Sequence, residues 1–493
     1  MGKTRVEKDS MGSMTVPAHV LYGATTQRAV LNFPVSGRPV PAEVVHAFAL
    51  LKRACAETNL ELKKLDARRA KLIARACDEI VQALEGDLND ESPSKAFHGL
   101  FTGMMEHFPI DVFQTGSGTS TNMNVNEVIA NLCAQYDGKA IGSRDPVHPN
   151  DHVNMGQSSN DTFPSAMQIA GAMAIDRRLI PALKALAKSL HAKAKSWDKL
   201  VKVGRTHLMD ATPIRLGQEF SGYAAQVEYC ALRAERARER LAENLPIGGT
   251  AVGTGINTHP RFGKLVASRL SRATKIEFDE AANHFEAQAT RDCVVEASGE
   301  LKTIAVALSK IANDIRLLGS GPRCGLFELS LPATQPGSSI MPGKVNPVIC
   351  ESVLQVACQV IGNDAAITIG GLGGVGSLLE LNVAMPMMAD NLIESINLLA
   401  NASRMFDEKC IRGLEVNVEI ATGMVEKSLM MCTSLAPEIG YDKAAEVAKS
   451  AFKTGQTVRE YVLEHKLIEA RKLDTLLDPM SMTKPGGTGS AGG

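Results

Sequence analysis

At 493 residues, with 53 basic and 54 acidic side chains and a formal net charge of −1, the chain has room for two to four domains and a large core. Near-neutral charge without a concentrated basic face argues against nucleic-acid and membrane-surface binding, so any anionic ligand must be held by a few local cations. Ten cysteines occur without a CxxC pair or His-rich metal spacing, several in apolar helical context as at Cys77, Cys230 and Cys358. They read as reduced, buried thiols of a cytoplasmic protein, with no metal site. No apolar run is expected to span a membrane, and the opening Met-Gly-Lys-Thr-Arg-Val fits neither a secretory nor a myristoylation signal.

Residues 1–145 mix Pro/Gly-rich turns with helices, for which "AEVVHAFALLKRACAETNLEL" and "ARRAKLIARACDEIVQALEG" have the pattern. The first polar interruption is Gln114 to Asn131, "QTGSGTSTNMNVNEVIAN". Its Gly-Ser-Gly-Thr run leads into a helix, where backbone N–H groups and hydroxyls suit an anion. Taken alone it favours a capped helix start, with Ser120 or Thr121 as N-cap.

Residues 146–405 read as long bundle helices. The second polar segment, "HPNDHVNMGQSSNDTFPSAMQIA", places six hydrogen-bonding side chains, Gln157 to Thr162, before an apolar helix, more than a cap needs. His148, Asp151 and His152 sit beside a proline turn without helical H-x-x-x-H spacing, which favours a structural or anion-contacting role over zinc. The third segment sets Arg205, Thr206, His207 and Asp210 ahead of a helix expected to start near Pro213. A lone histidine is often structural, but here a proton-handling role is also open. Phe220, Tyr223, Val227, Cys230, Ala234, Ala237 and Leu241 then form one helical stripe, and Leu301, Ile304, Leu308, Ile311, Ile315 and Leu318 another.

The fourth segment is "PGSSIMPGKVNP", Pro336 to Pro347, followed by Glu351 on the next helix. Gly337 and Gly343 permit close backbone approach, Pro342 and Pro347 limit the alternatives, and Lys344 and Asn346 suit a carboxylate. A serine here becomes a base only if donors and a nearby cation support its alkoxide. Otherwise the stretch is a helix connector whose lysine meets solvent or phosphate. Residues 406–493 form a small helical domain, clearest at "GYDKAAEVAKSAFKTG" with Gly455 as stop, ending in a Gly-rich tail expected to be flexible.

Together with "GGTAVGTGINTHP", these four segments resemble the fumarase/aspartase superfamily and, within it, the class II fumarases. The likeness runs from "TRVEKDSMGSM" through "LYGATTQRAV" to "GYDKAAEVAKSAFKTG". His207, Ser159, Gly343 and "QTGSGT" resemble the fumarase pattern more than the aspartase one. The resemblance implies a mainly α, three-domain fold whose long central helical bundle is shared in a homotetramer, with active sites built from three subunits.

It implies reversible hydration of fumarate to L-malate through an aci-carboxylate, with no metal or cofactor. By motif position Ser338 matches the base. Lys344 and Asn346 match carboxylate binders, and His207 with Glu351 the pair that polarises water. Ser117, Gly118, Thr119, Ser158, Ser159, Asn160, Thr206, Ser339 and Val345 match further substrate contacts. His148, Pro149, Asn150 and Asp151 match a secondary anion site. Because the likeness begins in the first residues, it leaves no room for a mitochondrial transit peptide. Ala384 and Met385 depart from the common aromatic and basic residues. The alternatives are an aspartase and, from another class, a non-catalytic structural homologue.

Overall fold

The computed structural model describes residues 3–89 and 103–486. The Gly-rich end and the first residues of "GLFTGMMEHFPIDVF" lie outside them. The chain is mainly helical, and its described strands pair only two at a time. Two compact units are formed from interleaved segments: Met1–Pro181, Leu232–Ala305 and Ala357–Ala400 in the first, and Ala182–Ala231, Val306–Val356 and Asn401–Gly493 in the second.

In the first unit, β1 (Thr4–Asp9) and β2 (Gly12–Pro17) form an antiparallel hairpin. Helices α1 (Ala24–Asn32), α2 (Ala42–Glu61) and α3 (Ala67–Asn89) follow, the latter two where apolar periodicity predicts them. Then come α4 (Thr119–Tyr136) and α5 (Ser159–Ala174). Phe48 of α2 meets Phe163 of α5 edge to face at 5.8 Å, a favourable quadrupolar geometry. Glu127 of α4 anchors the start of α1. It accepts the backbone N–H groups of Gly23 (2.8 Å), Thr25 (3.0 Å) and Thr26 (3.1 Å), and the Thr26 hydroxyl at 2.6 Å.

Next in the chain are α6 (Ile180–Ser196), β3 (Val201–Thr206), β4 (Met209–Arg215) and α7 (Leu216–Ala242). All seven residues of the first apolar stripe are buried along α7. The expected helix start near Pro213 is corrected here: Pro213 lies in β4, opposite Val203, and the helix begins at Leu216. A register shift between Val203 and Arg205 marks an irregularity where a residue without an N–H is tolerated.

Helices α8 (Phe262–Thr274), α9 (His284–Ala289), α10 (Asp292–Leu318), α11 (Val348–Gly371) and α12 (Met385–Phe406) continue the chain. The second stripe is buried along α10. Helices α7, α10, α11 and α12 each contribute residues to both units.

Helix α11 corrects the expectation that no apolar run is long enough to span a membrane: its 24 residues are long and apolar enough by composition, with a hydropathy of 1.2. Its polar residues, however, bond within the first unit's helices. Asn363 donates to Glu394 (2.8 Å) and Ser395 (3.1 Å), and Asp364 accepts from Ser298 (2.8 Å) and Lys302 (2.6 Å). That pattern is of a bundle helix with a high apolar content. Cys358 on α11 is exposed, as is Cys324, so burial is not general among the ten free cysteines.

The second unit closes with α13 (Val418–Gly423), α14 (Ala436–Ile439), α15 (Tyr441–Thr454), α16 (Val458–Glu464) and α17 (Ala470–Leu476). Gly455 ends α15 with φ 74°, as its sequence predicts. Val203 of β3 shares a core with Leu435, Val447, Val462 and Leu473, so the hairpin that carries His207 rests on these helices.

Candidate active site

In the first unit the motifs around residues 117, 159 and 251 meet. The Ser117 and Thr119 hydroxyls are 2.8 Å apart, and Thr119 lies 2.7 Å from the Ser159 hydroxyl. Asn160 donates its amide to the Ala251 carbonyl at 2.8 Å. A continuous row of hydroxyls is thus displayed where α4 and α5 begin, and both N-termini favour negative charge.

The expectation of Ser120 or Thr121 as N-cap is corrected. Helix α4 starts at Thr119, and Gly118 precedes it with φ 70° and no side-chain cap. A Cβ at Gly118 would lie 2.0 Å from the Phe163 ring, and one at Gly116 would lie 1.7 Å from the Val383 carbonyl oxygen. Close packing therefore demands glycine at both positions. Of the two residues expected to depart from the common pattern, Met385 meets this turn, its N–H donating to the Gly116 carbonyl at 3.0 Å, while the Ala384 N–H donates to Asn382 at 2.9 Å.

Helix α5 begins in a capping box. Ser158 accepts from the Asn160 N–H at 3.2 Å, and Asp161 accepts from the Ser158 N–H at 2.9 Å. Fully buried Asp161 also receives the N–H groups of Gly248 (3.2 Å) and Thr250 (2.9 Å). Burial pushes its carboxyl up to about 6, against the lowering effect of those donors. Asp161 stood in the polar run Gln157 to Thr162 without a role of its own, and buried Lys52, whose amine donates to Asn122, Asn154 and Gln157, was not singled out from sequence. The available signal was a lysine inside the apolar run "AFALLKRACAE".

His148 to Val153 is also local in this unit. Pro149–Val153 forms one π-helical turn, and the His148 ring nitrogen Nδ1 accepts the N–H groups of Asn150 and Asp151, both at 3.2 Å. His152 accepts the His148 N–H at 2.8 Å, and burial lowers its pKa.

The second unit carries the other predicted residues. His207 and Leu208 form the two-residue turn between β3 and β4, with φ 56° and 62°. Thr206 and His207 are exposed at that tip. At its base Glu328, fully buried, contacts Lys202 at 3.0 Å and Arg205 at 2.6 Å.

The loop before α11 surrounds a cavity of about 470 Å³ lined by Pro336, Gly337, Ser338, Gly343, Lys344 and Val345. The Ser338 hydroxyl oxygen accepts the N–H groups of Ile340 (3.2 Å) and Met341 (2.9 Å). Two donors aimed at one oxygen stabilise negative charge on it. Asn346 donates to the Gly337 carbonyl at 2.6 Å, and the Gly337 N–H donates to the Lys344 carbonyl at 2.8 Å, so the loop is tied across its neck. One of the two Asn346 amide donors is thus used within the loop. Ser339, Lys344 and Val345 are exposed, and Glu351 is half-buried in the first turn of α11. Among the described residues, the side chains of His207, Lys344 and Glu351 have no hydrogen-bond or ion-pair partner.

A family model described as lyase matches residues 12–362, and one described as fumarase C C-terminus matches residues 431–484. A class II fumarate hydratase of Bradyrhizobium diazoefficiens is 50% identical over 98% of this chain and 97% of its own. The chain belongs to the class II fumarase family. The human mitochondrial fumarate hydratase is 48% identical, covering 98% of this chain and 90% of that protein. The crystal structure of a class II fumarase from Schistosoma mansoni superposes with a TM-score of 0.91 at 38% identity, over 98% of this chain and all of that one. The helical fold is therefore that of the fumarase/aspartase superfamily, as the motifs imply.

Proposed function

We propose that this chain is a fumarate hydratase, catalysing the reversible hydration of fumarate to L-malate. The observation that carries the reading is the Ser338 hydroxyl, which accepts two backbone N–H groups in a loop that also holds Lys344. Removing a proton from the carbon beside a carboxylate builds a second negative charge on that carboxylate, so catalysis depends on placing donors and cations around it. Ser338 takes that proton, and Lys344 and Asn346 hold the carboxylate. The hydroxyls of Ser117, Thr119, Ser158 and Ser159, with Asn160 and the Gly118 turn, orient the dicarboxylate. Thr206 and His207, aided by Glu351, position and polarise the water, while Ser339 and Val345 complete the loop's contacts. These steps call on no metal or cofactor.

The enzyme is a homotetramer of three-domain subunits, divided near residues 145 and 405, and each active site draws on three subunits. Supporting this are apolar side chains left uncovered in one chain, as at Tyr229 of α7 (60% exposed), Val306 of α10 (51%) and Ile369 of α11 (53%), together with the unpartnered His207 and Glu351. His148 to Asp151 serve as a secondary anion site. Free cysteine thiols throughout support a cytoplasmic setting.

The test is the ultraviolet absorbance of fumarate with malate or aspartate as substrate. Malate turnover alone is expected, and turnover of aspartate alone identifies an aspartase instead. Ser338→Ala is expected to lower kcat by about 10²–10⁴-fold. Unchanged turnover removes Ser338 as the base.

A further inference from the structure

Lys52 lies in the middle of α2 with no exposed surface. An ammonium has three N–H donors, and Lys52 uses all three: on Asn122 at 2.7 Å, and on Asn154 and Gln157 at 3.0 Å each. All three acceptors are neutral amide oxygens. Among the described residues no carboxylate lies within ion-pair distance of it, so the charge is buried without a direct counter-ion, normally a costly arrangement.

The acceptors join two segments that carry the hydroxyl row. Asn122 is in the first turn of α4, three residues after Thr119. Gln157 immediately precedes Ser158 and Ser159. Asn154 cross-links them further, accepting from Asn122 (3.1 Å) and Asn126 (3.2 Å) and donating to the Gln157 carbonyl at 3.1 Å. One buried cation thus holds together the two backbones whose Thr119 and Ser159 hydroxyls stand 2.7 Å apart.

We propose that Lys52 is a positioning residue for the dicarboxylate: its three donors fix the Ser117–Thr119 turn against the Ser158–Asn160 turn, and its unpaired charge attracts the substrate's negative charge there. This rests on the hydratase reading and goes beyond it by assigning substrate affinity to a residue that does not touch substrate. A neutral donor of the same shape would hold the amides without supplying that attraction.

The charge has a pH signature. Burial lowers the Lys52 amine to about 8. The titratable groups facing it are Cys55 on α2, Cys77 on α3 and Asp161 on α5. Both thiols are pushed well above the ordinary thiol range by burial, and Asp161 is ionised above about 6. Above pH 8 the amine is the group of this set that changes charge.

The experiment measures succinate affinity by titration calorimetry, with fumarate turnover recorded in parallel. In the wild-type enzyme, affinity is expected to fall about tenfold between pH 7 and pH 9.5. Lys52→Met is expected to weaken succinate and raise KM about tenfold at pH 7, to change kcat by less than about threefold, and to lose the alkaline dependence. A folded Lys52→Met protein that binds succinate within twofold of wild type overturns the proposal. So does a flat wild-type affinity over that pH range, which decides the matter if the variant does not fold. Wild-type protein that does not hydrate fumarate instead overturns the parent reading.

Discussion

Both carboxylate oxygens of Glu127 are occupied by donors from the start of α1, so an amide at this position turns a donor toward donors. Glu127→Gln is therefore expected to lose about 1–3 kcal/mol in urea unfolding. His284 acts on a neighbouring scale. Its ring bonds to Glu280 (3.1 Å) and the Pro246 carbonyl (3.0 Å), beside the loop whose Ala251 carbonyl receives Asn160. The hydrogen bond to Glu280, the largest influence, raises the His284 pKa above its ordinary value. A raised folded-state pKa means stability that is fully present below about pH 6.5 and is lost as pH rises through the folded value. His284→Phe is accordingly expected to fall further below wild type in urea midpoint at pH 6 than at pH 9. Residues of this kind were the least legible in sequence. The polar runs announced Ser158, Ser159 and Asn160, but Lys52 and Asp161 act through burial, and burial depends on which helices cover them.

At the scale of the element, the β3–β4 hairpin shows why. Its turn residues, His207 and Leu208, both take left-handed backbone geometry, which fits a two-residue hairpin turn but disfavours a branched side chain. Leu208→Gly is expected to raise thermal stability by about 1 kcal/mol, read as a higher Tm. At the base, Glu328 faces Lys202 and Arg205 in a buried cluster. Removing one partner of such a cluster leaves uncompensated charge, so Glu328→Gln is expected to lose about 3–5 kcal/mol, measured by denaturant midpoint. Sequence periodicity located α7 and α10 because their apolar stripes recur turn after turn, within helices of 27 residues each. It missed this hairpin because β3 and β4 lack a clean alternation of apolar and polar residues and β4 contains Pro213, a cue that also describes a helix approach.

For the whole molecule, the same periodicity revealed which faces are apolar without revealing what covers them. The unit boundaries pass through α6, α7, α10, α11 and α12, so no linker composition marked them. The apolar residues these helices leave exposed in one chain make assembly part of stability in the tetramer we propose. Its Tm is expected to rise with protein concentration, and scanning calorimetry across a hundredfold dilution series checks this. A concentration-independent Tm accompanied by a monomeric mass removes the assembly from the proposal.

The Pro336–Pro347 loop has one more implication. The donors that serve the Ser338 oxygen come from Ile340 and Met341, two and three residues away, and the Asn346 and Gly337 bonds close the neck behind them. The serine's electrostatic surroundings are therefore portable. Any displacement of the loop about points outside the neck would carry hydroxyl and donors together, so the base we propose would keep its support wherever the loop stands.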